Sequence, residues 1–282
     1  MLPTHERMIS KKTKTSVVAV LAGIGLSAGP AAAVISVVNT ANWQSGNGDL
    51  GGTFDASDAD KLVFIVTGEH GFNQSANGTV GDVFYDGVQL TPAVVRDPIK
   101  ADAGPPVVLV DDTWNAIFYL DNPGAVHVGG VITTSGFASR GNVGIISLDG
   151  TAAGVGNVAT GARDTNTVDL TTLAGSLVIG SYGLGGTGNT AQLPPVTTPG
   201  WDAEIARQEN GNNWDGHVVA YQNGVAAGSA TYTFTDTTTP GGDGRTGRHV
   251  IAAEFVAAPI PEPSAAVLFG LAGFGLILRR RR

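Results

Sequence analysis

Val83-Phe84-Tyr85-Asp86-Gly87-Val88-Gln89-Leu90 places two short β-favouring runs on either side of Asp-Gly. Asp-Gly suits the type I′ turn, whose two central residues need positive φ and whose twist matches that of the strands it joins. The stretch is therefore a two-residue hairpin. Upstream, Lys61 to Thr67 (KLVFIVT) is apolar enough for a strand buried on both faces. Downstream, Ala116 to Leu120 is extended and ends at Asp121-Asn122-Pro123-Gly124, a sequence of turn formers.

The same grammar runs through the rest of the interior. Strands are expected at Val34 to Asn39, Val107 to Val110, Val126 to Thr133, Val143 to Leu148, Leu177 to Tyr182, His217 to Gln222, Ala230 to Thr235 and His249 to Val256. In Ala230 to Thr235, Tyr232 and Phe234 alternate with threonines, the period of a half-buried antiparallel strand. Between them, Asn42 to Asp49 reads as a polar loop, Pro92 to Pro106 as an irregular crossing, and Ala152 to Asn166, Gly183 to Gly200 and Glu204 to Asn213 as loops. Glycine numbers 41 of 282 and no long helical stripe interrupts the pattern. Eleven or twelve strands predict an all-β domain over 34–258, a jelly-roll-like two-sheet antiparallel β-sandwich.

The two ends have other work. Lys11, Lys12 and Lys14 precede an apolar run from Ser16 to Ala28, and Ala31-Ala32-Ala33 supplies small residues for cleavage. Residues 1–33 thus read as a secretory signal helix, with the Sec export machinery as partner and Val34 as the expected mature start. At the far end, Pro261-Glu262-Pro263 is kept out of helix and sheet by its prolines. Ser264 to Leu278 follows without a charge, and Arg279, Arg280, Arg281 and Arg282 close the sequence. As a helix the uncharged run rises only about 22 Å, short of the roughly 30 Å hydrocarbon core. The arginines extend its reach by snorkelling and hold their end in the cytoplasm.

In that order of parts, residues 259–282 resemble the PEP-CTERM sorting signal of Gram-negative bacteria that make extracellular polysaccharide. The resemblance implies handling by an exosortase, a precursor tethered to the inner membrane by a short transmembrane helix, and a mature protein at the cell surface or in the extracellular matrix. A second, diffuse resemblance rests on the Val83 to Leu90 hairpin, Ala116 to Pro123, Val218 to Gln222 and Tyr232 to Phe234. These are similar to stretches of lectin-like sandwiches in secreted bacterial proteins.

Between the two signals, residues 34–262 carry eight Lys and Arg against 23 Asp and Glu, a formal charge of −15. Nucleic acid is a poor partner for such a surface; divalent cations and neutral polysaccharide are compatible. The chain has no cysteine, hence no disulfide, thiolate metal site or cysteine nucleophile.

Candidate sites are few. There is no Gly-x-Ser-x-Gly elbow, no His-Glu-x-x-His helix and no phosphate-binding loop. Glu69-His70 is an adjacent acid and base, but neighbouring strand residues face opposite sides. His70, His127, His217 and His249 are dispersed, although His217 and His249 lie on late strands that can pair. Asp55, Asp58 and Asp60 are spaced to offer oxygens to a Ca²⁺ ion, or else are solvated turn carboxylates. Trp201-Asp202 and Trp214-Asp215 bracket an amide-rich stretch. They suit a sugar-stacking site, or else tryptophans covering the end of a sandwich. The expected function is a non-enzymatic surface or matrix protein associated with exopolysaccharide or biofilm. The alternatives are a carbohydrate-binding module, Ca²⁺-dependent or not, and a polysaccharide-active hydrolase.

Overall fold

The computed structural model describes residues 33–45, 51–69, 81–96, 113–124, 130–135, 141–162, 165–185, 200–209, 215–235 and 248–260. Residues 1–32 and 261–282, all but the inner edges of the two terminal signals, lie outside them, as do 107–110, 125–129, 186–199 and 210–214. The described residues are all-β, with every named pairing antiparallel. The first half comprises β1 (Ser36–Ser45), β2 (Gly52–Phe54), β3 (Lys61–Glu69), β4 (Asp82–Tyr85), β5 (Val88–Gln89), β6 (Thr91–Arg96), β7 (Thr113–Asp121), β8 (Gly130–Ser135) and β9 (Gly141–Asp149). The second comprises β10 (Val158–Thr160), β11 (Thr167–Thr172), β12 (Leu177–Gly185), β13 (Ala203–Glu209), β14 (Asp215–Gln222), β15 (Gly228–Thr233) and β16 (Arg248–Phe255).

The β4–β5 hairpin forms as its sequence predicts. Asp86 and Gly87 take φ of 48° and 79°, both left-handed, and Val83 and Tyr85 turn into a core while Val88 stays in solvent. β3 is likewise buried on both faces. Leu62, Phe64 and Val66 point one way, and Val63 and Ile65 the other.

Two sheets are not enough to describe the result. The strands form four, ordered β1-β9-β3-β7-β6, β2-β8-β4-β5, β10-β16-β12-β14-β13 and β11-β15. The two five-stranded sheets pack on each other through Val63, Ile65, Ile117 and Ile146 against Ile179, Val219, Ile251 and Phe255. The smaller sheets cover their outer faces, one over Phe64, Phe118 and Ile145, the other over Tyr182, Val218 and Val250. The expected two-sheet sandwich is thus the middle of a four-layer stack.

The strand orders also repeat. Replacing β1, β9, β3, β7 and β6 by β10, β16, β12, β14 and β13 converts one large sheet into the other, and β2-β8 into β11-β15. The central strands β3 and β12 are each nine residues long, so Lys61 corresponds to Leu177 and Thr67 to Gly183. Through the pairings Asn115 then corresponds to His217, Tyr119 to Tyr221, and Asn142 to His249. The halves meet about an approximate two-fold axis along the strands: the first lays its large sheet on that of the second, much as an isologous dimer would.

Several loops predicted from polarity are strands. Asn42 to Ser45 continue β1, and Val158–Thr160 within the predicted 152–166 loop form β10. β13 occupies Ala203–Glu209, where a polar loop from Glu204 was expected. All three strands lie at sheet edges, where one side needs no apolar cover. Pro92, expected in an irregular crossing, sits in β6. That is also an edge strand, and its register shifts between Pro92 and Val94, which accommodates the missing N–H.

Candidate functional site

Apolar packing between the large sheets gives way at one end to a polar row. In the first sheet Asn142, Thr67 and Asn115 stand side by side across β9, β3 and β7. In the second, His217, Gly183 and His249 do so across β14, β12 and β16. His217 and His249 therefore do not pair directly; they flank Gly183. All six residues are buried. The rows fit because Gly183 has no side chain: a Cβ there would lie 2.6 Å from Thr67 Cγ2.

Thr67 Oγ1 and Ser181 Oγ both donate to Asn115 Oδ1, at 2.6 and 2.8 Å, and Asn115 Nδ2 donates to the Ser181 carbonyl at 3.3 Å. Ser181 Oγ also lies 3.1 Å from His217 Nε2. The serine's one proton is directed to Asn115, so in the tautomer that carries its hydrogen on Nε2 His217 donates to Oγ. That is opposite to the transfer a serine nucleophile makes to its imidazole. His217 Nδ1 makes no hydrogen bond among the described residues, and burial pushes the imidazole down to about 3, so it stays neutral. The cluster joins the two large sheets through the hydrogen bonds between Asn115 and Ser181.

The opposite end of the interface carries charge. Lys61, on the inner face of β3, has no exposed side-chain surface and ion-pairs with Asp121, its direct partner across β7. Lys61 Nζ also donates to the Gly154 carbonyl at 2.6 Å, while Gly154 N–H donates to Asp121 Oδ2 at 2.8 Å. The Tyr119 and Phe255 rings lie 5.0 and 5.9 Å from Nζ. Desolvation is the largest influence on the amine and lowers its pKa, opposed by Asp121. Nearby, buried Glu254 accepts from Asn157 N–H at 3.0 Å and from Leu173 N–H at 2.5 Å. Both acids thus grip residues 154–157, within the connection between the halves.

The residues picked out by sequence meet different fates. Asp55 Oδ1 accepts from Ser57 N–H at 2.9 Å and from its hydroxyl at 2.5 Å, and the hydroxyl bond chiefly holds its carboxyl below the usual range. Asp58 occupies a left-handed turn position at φ 60°. Asp60 Oδ2 takes Gly150 N–H at 2.8 Å. One oxygen each of Asp55 and Asp60 is thus engaged in hydrogen bonding, and among the described residues no group of three or more His, Asp or Glu is placed to hold a metal ion. Asp55, Asp58 and Asp60, expected to share a Ca²⁺ ion, are not among any such group.

Trp201 and Asp202 lie apart from the backbone of Asp215. Trp201 is half-buried, its ring 4.9 Å from Phe234 and 5.5 Å from Tyr232, and its Nε1 donates to the Thr233 carbonyl at 2.9 Å. It covers the outer face of the second large sheet over Gly180 rather than offering a flat surface to solvent. Asp202 is exposed and caps Asn223 N–H at 2.6 Å. Asp215 begins β14 at the opposite end of β13, about 20 Å away by strand rise. Trp214 lies outside the described residues, as do His70, His127 and the side chain of Glu69.

A shallow depression lies beside the start of β1, lined by Val34, Ile35, Gly175 and Asn223. The Asn223 amide there is already committed, donating to the Ile35 carbonyl at 2.6 Å and accepting from Gly224 N–H at 2.8 Å. The polar row was missed because its members are scattered over six strands. The available signal was Thr67, Asn115, Ser181, His217 and His249 occupying inward positions of otherwise apolar strands. Comparison with family models, with curated proteins and with solved structures finds no match to the chain.

Proposed function

We propose that the chain is a non-enzymatic, exported surface or extracellular-matrix protein, sent out by residues 1–33 and sorted through residues 259–282. The order Pro261-Glu262-Pro263, short uncharged run, Arg279 to Arg282 carries this reading. In it the body is a pair of jelly rolls joined through their large sheets, each half pairing its first strand with its last and its second with its last but one. The acidic exterior favours a hydrated place in the envelope or in exopolysaccharide. One observation weighs against the carbohydrate-binding reading: Trp201, one of its two tryptophans, is spent on packing.

The test is a chain ending at Ile260 compared with the full chain in an exosortase-bearing Gram-negative host. The full chain is expected in the surface and matrix fractions, and the shortened one in the periplasm or medium. Equal surface amounts of the two would overturn the proposal. Retention of residues 34–262 on the host's polysaccharide, with a loss on mutating Trp214, would favour the carbohydrate-binding reading instead.

A further inference from the structure

Lys61 is in an unusual position for a lysine. Its stem would ordinarily carry the ammonium out to water, but here Nζ stays between the sheets, against the Asp121 carboxyl and the rings of Tyr119 and Phe255. Gly154 closes the arrangement by binding both partners: its carbonyl takes a proton from Nζ and its N–H holds Asp121 Oδ2. The amine is thus fixed against one carboxyl oxygen while a backbone donor grips the other.

We propose that Lys61 Nζ and Asp121 Cγ condense into an intramolecular amide, a covalent tie between the start of β3 and the end of β7. An ammonium with no exposed surface is costly, and moving one proton from it to the carboxylate gives a neutral amine beside a neutral acid. Held in contact, the two react as if at very high concentration. The Nζ lone pair attacks Cγ and a C–N bond forms. The charge that develops on Oδ2 faces Gly154 N–H. The Cγ–Oδ1 bond then breaks and that oxygen leaves as water with two of the three ammonium protons. One ammonium and one carboxylate become one secondary amide and one water, with nothing oxidised or reduced. The 29% exposure of the Asp121 side chain gives the water a way out, and the remaining N–H keeps the Gly154 carbonyl as acceptor.

The second half provides an internal contrast. Leu177 and Asn223 stand where Lys61 and Asp121 do, so it has no amine with which to form the tie. In a chain without cysteine, this amide supplies the covalent closure that a disulfide would otherwise give. It closes a 60-residue separation around β4, β5 and β6, of which β4 and β5 have no counterpart in the second half.

Mass spectrometry of the full chain, purified folded and digested with trypsin, decides the matter. The expected result is no cleavage after Lys61 and a branched peptide joining the Lys61 segment to the Asp121 segment, lighter than the two together by one water. Asp121→Ala should restore cleavage and give three linear peptides, one ending at Lys61, one of residues 62–96 and one of residues 101–140. Linear peptides of full mass from the wild-type chain would overturn the proposal. So would a wild-type digestion pattern that persists in Asp121→Ala.

Discussion

His217 links the polar row to pH. Burial takes its imidazole from 6.5 to about 3, so between those values the unfolded chain binds a proton that the folded chain refuses. Its contribution to stability is complete above pH 6.5 and drains as pH falls towards 3, by at most about 1.4 kcal/mol per pH unit. Between pH 7 and 5 the loss is about 2 kcal/mol. His217→Asn installs the residue that the first half carries at Asn115, and urea unfolding at the two pH values should show the variant losing about 2 kcal/mol less than wild type. Identical pH dependence would place the titrating group elsewhere. Gly180 is a second sensitive residue, because a Cβ there would lie 2.3 Å from Trp201 Cη2 and 2.9 Å from Phe234 Cζ. The half-buried Trp201 ring must give way, so Gly180→Ala should cost about 1–3 kcal/mol and shift tryptophan emission to the red as the indole is lifted into water. Unchanged emission would mean that the ring does not cover this face.

At the level of elements, what the sequence reveals depends on how many faces a strand buries. β3 and β9 are buried on both sides and read as apolar runs, and the Asp86-Gly87 hairpin was legible from its turn chemistry alone. β13 and β10 were not legible, since an edge strand is half solvated and its polarity resembles that of a loop. The same limit hid the site. Whether Thr67, Asn115 and His217 share one interior depends on register across chain separations of 48 residues and more, which local periodicity does not encode. Asp55 and Trp201 were conspicuous by type, yet their hydrogen bonds are spent on a turn and on a strand carbonyl. The hairpin itself is testable. Gly87 has nothing within 4 Å of a Cβ position, so Gly87→Ala probes only its φ of +79°. A cost of about 1–2 kcal/mol with an unchanged urea m-value is expected. A neutral result would show that the turn relaxes to a type tolerating alanine.

For the whole molecule, the repeated strand order raises the question of whether each half is a unit of folding. Each half has a core of its own against its small sheet, which alone would favour independent unfolding. The interface argues the other way: Val63, Ile65, Ile117 and Ile146 of one half are buried against the other, and separation would expose them all. Lys61 and Glu254 then add a cost, because the partners they hold in residues 154–157 would be displaced. Coupling through the shared core should therefore dominate. Ile65→Ala, a change confined to the first half, is expected to remove about 2–4 kcal/mol. Hydrogen exchange should show that loss equally in the amides of β3 and β7 and in those of β12 and β14, with a single urea transition by far-ultraviolet dichroism and tryptophan emission alike. If protection fell only in β3 and β7, the halves would be tandem modules touching through an inessential face. An equal fall would identify the inter-sheet seam, with its polar row at one end and its buried lysine at the other, as what makes two halves one protein.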